Sequence, residues 1–327
     1  MGSFKVILTD FTDSDQRIEL GVFAASGLDL ELIRAVPNTT TDLTRIGAEA
    51  DALLVQFANV DRPVLESLRR CQIISRYGVG VDMIDVQAAG ELGIPVANVP
   101  DFCIDEVSTQ TLGFIIDLNR HTVALNDHVH RGHWGSQPVP GGAPRRLAGQ
   151  TLGIVGLGTI GCEVARKAAA FGLTILASDP YLATAPDGVQ LVELDELLAS
   201  SDYVTLHCPL VPETRGLIGA RQLATMKSTA YLLNLSRGPV VDQSALADAL
   251  TSGVLAGAAL DVMATEPPSP DDPLLQMANV LLTPHTSSWS IESIDQLRRD
   301  AAVNVTDALS GRQPRSVVNR DHLRARP

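Results

Sequence analysis

The chain is poor in several things at once. Cysteine is scarce: Cys71, Cys103, Cys162 and Cys208 are scattered over 327 residues and form no Cys-x-x-Cys pair. Such spacing argues against a disulfide framework and against a metal site, and the four read as reduced core residues of a cytoplasmic protein. Aromatic residues make up only 4%. Small aliphatic side chains dominate instead, which suits α/β layers around buried parallel strands. No apolar run approaches the roughly 18 residues of a membrane-spanning helix, and no charged-then-apolar leader opens the sequence. Positive charge is in deficit, with 25 Lys and Arg against 38 Asp and Glu and a net charge of −13. That balance argues against nucleic acid and anionic membrane surfaces as partners. It leaves a small anion open, because one local arginine outweighs the global sign at short range. The length allows about two domains, each with a sizeable core.

What is present starts with Gly156-Leu157-Gly158-Thr159-Ile160-Gly161. The stretch follows a strand-like run (Thr151 to Val155) and opens a helix-like run (Cys162 to Gly172). Asp179 stands at the end of a second apolar run, Leu173 to Ala177. This is the dinucleotide-binding pattern in its proper setting. Gly156 allows the tight turn, Gly158 lets backbone approach a pyrophosphate, and Gly161 lets helix and strand pack closely. The helix N-terminus offers N–H groups and a positive dipole end to the anion. Asp179 as a ribose ligand selects NAD over NADP, whose 2′-phosphate would meet its charge.

The first hundred residues alternate strand candidates (Lys5–Leu8, Asp29–Ala35, Ala52–Val55, Ile73–Ser75, Pro95–Ala97) with helical patterns such as Arg62–Arg69 and Ile84–Leu92. This is a doubly wound unit without a glycine fingerprint. One helix is expected over Asp105–Asn126, then a Gly/Pro-rich loop from Gly132 to Pro144. A second βα series comes next, with strands at Leu152–Val155, Thr174–Ala177, Tyr203–Leu206, Tyr231–Leu235, Ala256–Leu260 and Val280–Leu282. Six strands fit a dinucleotide domain. The tail from Ile291 to Leu309 reads as one amphipathic helix, with Arg298-Arg299-Asp300 on its solvated face. The expected fold class is α/β: two doubly wound parallel-sheet domains, a Rossmann dinucleotide-binding domain (103–287) inserted in a flavodoxin-like substrate domain (1–102 and 288–327).

Parallel α/β sheets hold ligands outside the carboxyl ends of their strands. In the second series those ends are followed by Ser236-Arg237-Gly238, by Asp261 and then Glu266-Pro267, and by Thr283-Pro284-His285. Hydride transfer to a 2-keto acid needs a cation for the carboxylate and carbonyl, a role for Arg237. It also needs a proton donor for the carbonyl oxygen, a role for His285. Glu266 beside His285 would favour the imidazolium and orient it. His207 also ends a strand, in Leu206-His207-Cys208-Pro209, as a decoy for the catalytic histidine. His128, His130 and His133 form a second histidine cluster, read as a helix end and loop because no carboxylate or cysteine lies at ligand spacing.

Several long ordered segments carry a resemblance: RYGVGVDMID (76–85), GQTLGIVGLGTIG (149–161), SDPY (178–181), LHCPL (206–210), LLNLSRGPVVD (232–242), AGAALDVMATEP (256–267) and LTPHTSSWS (282–290). Through them residues 71–310 resemble the D-isomer-specific 2-hydroxyacid dehydrogenases. The resemblance implies that Arg237 binds substrate carboxylate and carbonyl, that Glu266 pairs with His285, and that His285 is the acid/base. It implies NAD as cofactor, with Thr159, Ile160, Asp179, Leu235, Ser236 and Asp261 as contacts and His207 beside it. It also implies that backbone amides of the Val79-Gly80 turn hold the carboxylate, and that the protein is a homodimer acting on a small 2-keto or 2-hydroxy acid. Within the family, AAGELGIPVANVP (88–100), DPYL (179–182) and TPHTSSWS (283–290) are most similar to the subgroup of C-terminal-binding-protein corepressors. Met83 stands where many relatives carry asparagine, and Trp289 sits one position later than that subgroup's pocket tryptophan, where Ser288 stands. Two alternatives accompany this reading. One is an NAD(H)-sensing, corepressor-like scaffold with vestigial catalysis. The other is oxidation of a small anion such as phosphite; formate is disfavoured because Glu266 stands where formate-oxidising relatives use glutamine.

Overall fold

The short apolar runs of the first hundred residues pair as parallel strands. The computed structural model describes residues 3–10, 15–35, 40–135 and 143–324; the middle of the expected 132–144 loop lies outside them. The chain divides into two units, Met1–Phe102 with Ser290–Pro327, and Cys103–Trp289. In the first, β1 (Phe4–Leu8), α1 (Arg17–Ser26), β2 (Leu30–Arg34), α2 (Thr40–Gly47), β3 (Ala52–Val55), α3 (Arg62–Ser67), β4 (Ile73–Arg76), α4 (Val86–Glu91) and β5 (Val96–Ala97) follow one another. The strands order as β2-β1-β3-β4-β5, and every pairing is parallel. This is the flavodoxin-like order that the sequence pattern predicts. β3 and β4 are buried at every residue, as a strand covered on both faces must be. Two of the crossover helices, α3 and α4, begin on side-chain caps: Asp61 accepts from the Val64 N–H, and Asp85 from the Ala88 N–H.

The second unit contains α5 (Ile104–Arg120), α6 (Thr122–His130), β6 (Thr151–Val155), α7 (Thr159–Ala170), β7 (Thr174–Ser178), β8 (Val189–Leu191), α8 (Leu194–Ser200), β9 (Tyr203–Leu206), α9 (Ala220–Thr225), β10 (Tyr231–Asn234), α10 (Gln243–Thr251), β11 (Gly257–Leu260) and β12 (Val280–Leu282). Its sheet orders as β12-β11-β10-β9-β6-β7-β8. The six expected strands are joined by β8, a three-residue edge strand whose residues are all partly exposed; it carries no apolar run to announce it. The single helix expected over Asp105–Asn126 is two. His121 adopts a left-handed φ of 54° between α5 and α6, and Asp117 Oδ1 accepts the Val123 N–H at 2.8 Å, which starts the new helix. α5 buries eight residues, whereas α6 buries none, so no core face keeps α6 in line with α5.

α11 (Ile291–Leu309) belongs to the first unit. Its expected solvated charge run is corrected by the fold. Arg299 is exposed, but Arg298 is 3% exposed, on the face that also buries Leu297, Ala301, Ala302 and Val305. It meets buried Glu19 of α1 in a two-pronged pair, Nε to Oε1 at 2.9 Å and Nη2 to Oε2 at 2.7 Å. Among the described residues, no helix is long and apolar enough to cross a membrane.

Candidate active site

One register row places the site. Ser178, Val155, Leu206, Asn234, Leu260 and Leu282 are successive partners across β7, β6, β9, β10, β11 and β12. The residues C-terminal to this row leave the sheet at the same edge: Asp179, Gly156, His207, Arg237, Asp261 and His285. The strand order reverses beside β6, the switch point where an open α/β sheet holds its ligand.

Each fingerprint glycine meets a different surrounding. Gly156 has a φ of +89°, and a methyl group there would lie 2.7 Å from the Cys208 amide nitrogen. A methyl on Gly161, in the first turn of α7, would lie 2.3 Å from the Gly156 carbonyl oxygen. Gly158 is exposed, and a methyl there would meet nothing within 4 Å. The turn is thus closed against the protein's own backbone at Gly156 and Gly161 and open at Gly158. Gly158 caps α7 without a side-chain hydrogen bond, and Thr159, Ile160 and Gly161 form its first turn, where backbone N–H groups lack intrahelical partners. Asp179 joins the end of β7 to this turn: Oδ2 accepts the Leu157 N–H at 2.9 Å and Oδ1 the Tyr181 N–H at 3.0 Å. These residues fit a dinucleotide, with an open backbone face and helix amides for the pyrophosphate and a carboxylate at the neighbouring strand end.

Glu266 and His285 come together. His285 Nδ1 and Glu266 Oε2 are 2.7 Å apart, and Glu266 Oε1 accepts the Met263 N–H at 3.0 Å. Burial works against the Glu266 carboxylate. The hydrogen bonds from His285 and Met263 and the charges of His285 and Arg237 outweigh it, so its pKa lies below the ordinary value. An ionised carboxylate only accepts, so Nδ1 carries the proton in this pair. Asp261 fixes the backbone on which His285 stands. It is 3% exposed; its Oδ1 accepts from Thr283 Oγ1 at 2.5 Å and the Thr286 N–H at 2.9 Å, and its Oδ2 from the Ser287 N–H at 3.1 Å. Its carbonyl accepts the His285 N–H at 2.8 Å, and His285 itself holds a left-handed φ of 54°.

Arg237 stands on a loop built by two residues that motif reading did not single out as site residues. Buried Asn234 accepts the Ser236 N–H (3.1 Å) and Oγ (2.9 Å) on its Oδ1, while its Nδ2 donates to the Arg237 carbonyl at 2.9 Å. A methyl on Gly238 would lie 1.9 Å from the Met263 carbonyl oxygen, so this loop rests on the segment that leads to Glu266. Leu235 is buried and Ser236 partly exposed. The place of Asn234 and Gly238 on either side of Ser-Arg was the available signal. His207 Nε2 lies 3.0 Å from Thr205 Oγ1, and burial lowers its pKa to about 4, so the ring is neutral near pH 7. In the first unit, Val79 and Gly80 are partly exposed in the turn after β4, and the Val79 carbonyl accepts Asn98 Nδ2 at 2.7 Å. The His128 and His133 rings stack with centroids 4.6 Å apart.

Fold and site together define an α/β protein with a dinucleotide cradle and a carboxylate–histidine pair on one sheet edge. Residues 112–287 match the profile of the D-isomer specific 2-hydroxyacid dehydrogenase, NAD binding domain. The chain is 38% identical to a glyoxylate reductase of Thermofilum pendens over 89% of its own length and 88% of the relative's. It is 39% identical to a D-3-phosphoglycerate dehydrogenase of Methanocaldococcus jannaschii over 84% of its length, and spans about half (53%) of that relative. A D-lactate dehydrogenase from Aquifex aeolicus, solved with NAD and lactic acid, superposes with a TM-score of 0.82 at 27% identity, covering 94% of this chain and 96% of that one. The chain belongs to the D-isomer-specific 2-hydroxyacid dehydrogenases and carries their NAD-binding domain. The likeness to the corepressor subgroup rests on the sequence motifs alone.

Proposed function

We propose that the protein interconverts a small 2-keto acid and its D-2-hydroxy acid with NAD(H). The observation that carries this reading is the Glu266–His285 pair, 2.7 Å apart, on the sheet edge where Arg237 and the Gly156 turn also emerge. When bound, the nicotinamide supplies or accepts the hydride. His285 donates a proton from its other ring nitrogen, Nε2, to the carbonyl oxygen in the reducing direction and takes it back in the oxidising one. Glu266 holds Nδ1–H and stabilises the imidazolium. Arg237 holds the carboxylate and polarises the carbonyl. The Val79 and Gly80 amides receive the carboxylate.

Residues 103–287 act as the NAD-binding domain, with Gly156, Gly158, Thr159, Ile160, Gly161, Asp179, His207, Leu235, Ser236 and Asp261 as its contacts. Residues 1–102 and 288–327 act as the substrate domain. The protein works as a cytoplasmic homodimer; α6, which buries no residue within the chain, supports a second copy as its cover.

The test is NADH consumption with glyoxylate, pyruvate, hydroxypyruvate and phenylpyruvate, NADPH run alongside. At least one acid should be reduced, and His285→Ala should lose about 10²–10⁴-fold in turnover, the range for a positioned acid/base, while NADH still binds. Near-wild-type turnover in that variant would end the assignment of His285.

A further inference from the structure

The Val79-Gly80 turn is held through one face of α11. Residues 298, 301 and 304, spaced three apart, lie on that face; Ala301 bonds β4 directly, and Arg298 and Asn304 connect to Tyr77 and Val79 through Glu19 and Asn98. Arg298 grips Glu19, and Glu19 Oε1 accepts the Tyr77 hydroxyl at 3.0 Å. The Ala301 carbonyl accepts Ser75 Oγ at 2.9 Å. Asn304 Nδ2 donates to the Asn98 carbonyl at 3.2 Å, and Asn98 Nδ2 donates in turn to the Val79 carbonyl. Glu19, Tyr77, Arg298 and Asn304 are all 3% exposed or less. Tyr77 immediately precedes Gly78, which takes a φ of +140° and whose carbonyl accepts the Val99 N–H at 3.0 Å.

A buried ion pair is poor evidence of stability, because desolvation offsets its attraction. A fully bonded buried network does rigidify what it touches. Here one arm ends on Tyr77, two residues before Val79, and the other on the Val79 carbonyl.

We infer that Glu19, Tyr77, Arg298, Asn304 and Asn98 are positioning residues that hold the Val79-Gly80 turn in the orientation that receives the substrate carboxylate. This rests on the assignment of that turn under the proposed function. A carboxylate is gripped alike in ground and transition states, so loosening its grip raises KM and leaves kcat nearly unchanged.

Tyr77→Phe removes one hydroxyl and keeps the ring; Asn304→Ala cuts the other arm and guards against misfolding of the first variant. The readouts are kcat and KM for glyoxylate at saturating NADH, the NADH dissociation constant, and hydrogen exchange of a peptide covering residues 76–81. The expected result is a KM raised about threefold to tenfold, the reach of one hydrogen bond, with kcat and NADH affinity within about twofold and faster exchange at 76–81. Folded variants with unchanged KM and unchanged exchange would overturn the network. If the wild type reduces none of the four acids, the functional reading falls by itself, and exchange at 76–81 alone decides: faster exchange supports the network, unchanged exchange ends it.

Discussion

Replacing each of the three fingerprint glycines with alanine should give three different outcomes. At Gly156 the methyl would sit 2.7 Å from the Cys208 nitrogen, and the φ of +89° is itself one that alanine rarely adopts. Strain of this kind costs about 1–3 kcal/mol and overpacking about 1–3 kcal/mol more, so Gly156→Ala should lose about 2–6 kcal/mol of stability along with NADH binding. At Gly161 the methyl meets the Gly156 carbonyl at 2.3 Å; the helix-propensity gain of about 1 kcal/mol offsets part of the clash. Gly161→Ala should therefore lose less stability than Gly156→Ala but still about 1–2 kcal/mol, because the clash is with backbone, with α7 pushed off the turn and NADH affinity reduced. Gly158 is the informative one. Its φ of −71° and ψ of −166° suit any residue, and nothing in the protein meets its methyl. A gain of about 0.4–1 kcal/mol from a stiffer unfolded chain roughly cancels a helix-cap loss of about 0.5–1 kcal/mol. Gly158→Ala should therefore melt like wild type yet bind NADH at least about tenfold more weakly, since the methyl projects where a pyrophosphate must approach the backbone. Thermal melts and NADH fluorescence titrations on the three variants decide it. A Gly158→Ala protein that binds NADH as wild type, or that unfolds as readily as Gly156→Ala, would refute the reasoning.

His207 gives a pH-dependent term. Its folded pKa of about 4 lies below the ordinary 6.5, so the unfolded chain takes up the proton first and stability falls as pH drops from 6.5 towards 4; between pH 7 and pH 5 the wild type should lose about 2 kcal/mol relative to His207→Gln in urea titrations, and parallel curves would remove the burial argument. Asp179→Ala should shift the NADH-to-NADPH preference by at least about tenfold towards NADPH, since one repelling charge is removed. It should also weaken NADH, because the Leu157 and Tyr181 N–H groups lose their acceptor; steady-state kinetics with both coenzymes would reveal an unmoved ratio.

The parts of the fold that were legible are those in which residue type and backbone demand coincide. Gly156 and Gly161 must be glycine because backbone lies where a side chain would go, and that requirement shows in a six-residue string. Arg237, Asp261 and His285 are scattered in sequence, but every pairing in their sheet is parallel, so all strands deliver their C-terminal loops to one edge. Arg298 was misread for the opposite reason. Its partner Glu19 lies 279 residues away, and helical periodicity cannot distinguish an arginine facing water from one facing a buried carboxylate. The break at His121 was hidden because it depends on what α6 does not bury. β8 was missed because an edge strand of three partly exposed residues has no apolar signature.

Asp261 shows how far motif reading reaches into a site. The resemblance implies that it contacts the cofactor. Its visible work is on the histidine loop: both carboxylate oxygens and its carbonyl are engaged by residues 283–287. A non-glycine residue in the left-handed region is held there only where its surroundings over-determine it, and here the surroundings are Asp261. Two neighbouring loops reach the Glu266–His285 pair in the same indirect way. Asn234 and Gly238 set the Arg237 loop against Met263, and the Met263 N–H in turn bonds Glu266. Arg237, Glu266 and His285 are therefore carried by backbone that other residues shape, and a chain could keep all three and still lose their geometry at Asp261, Asn234 or Gly238.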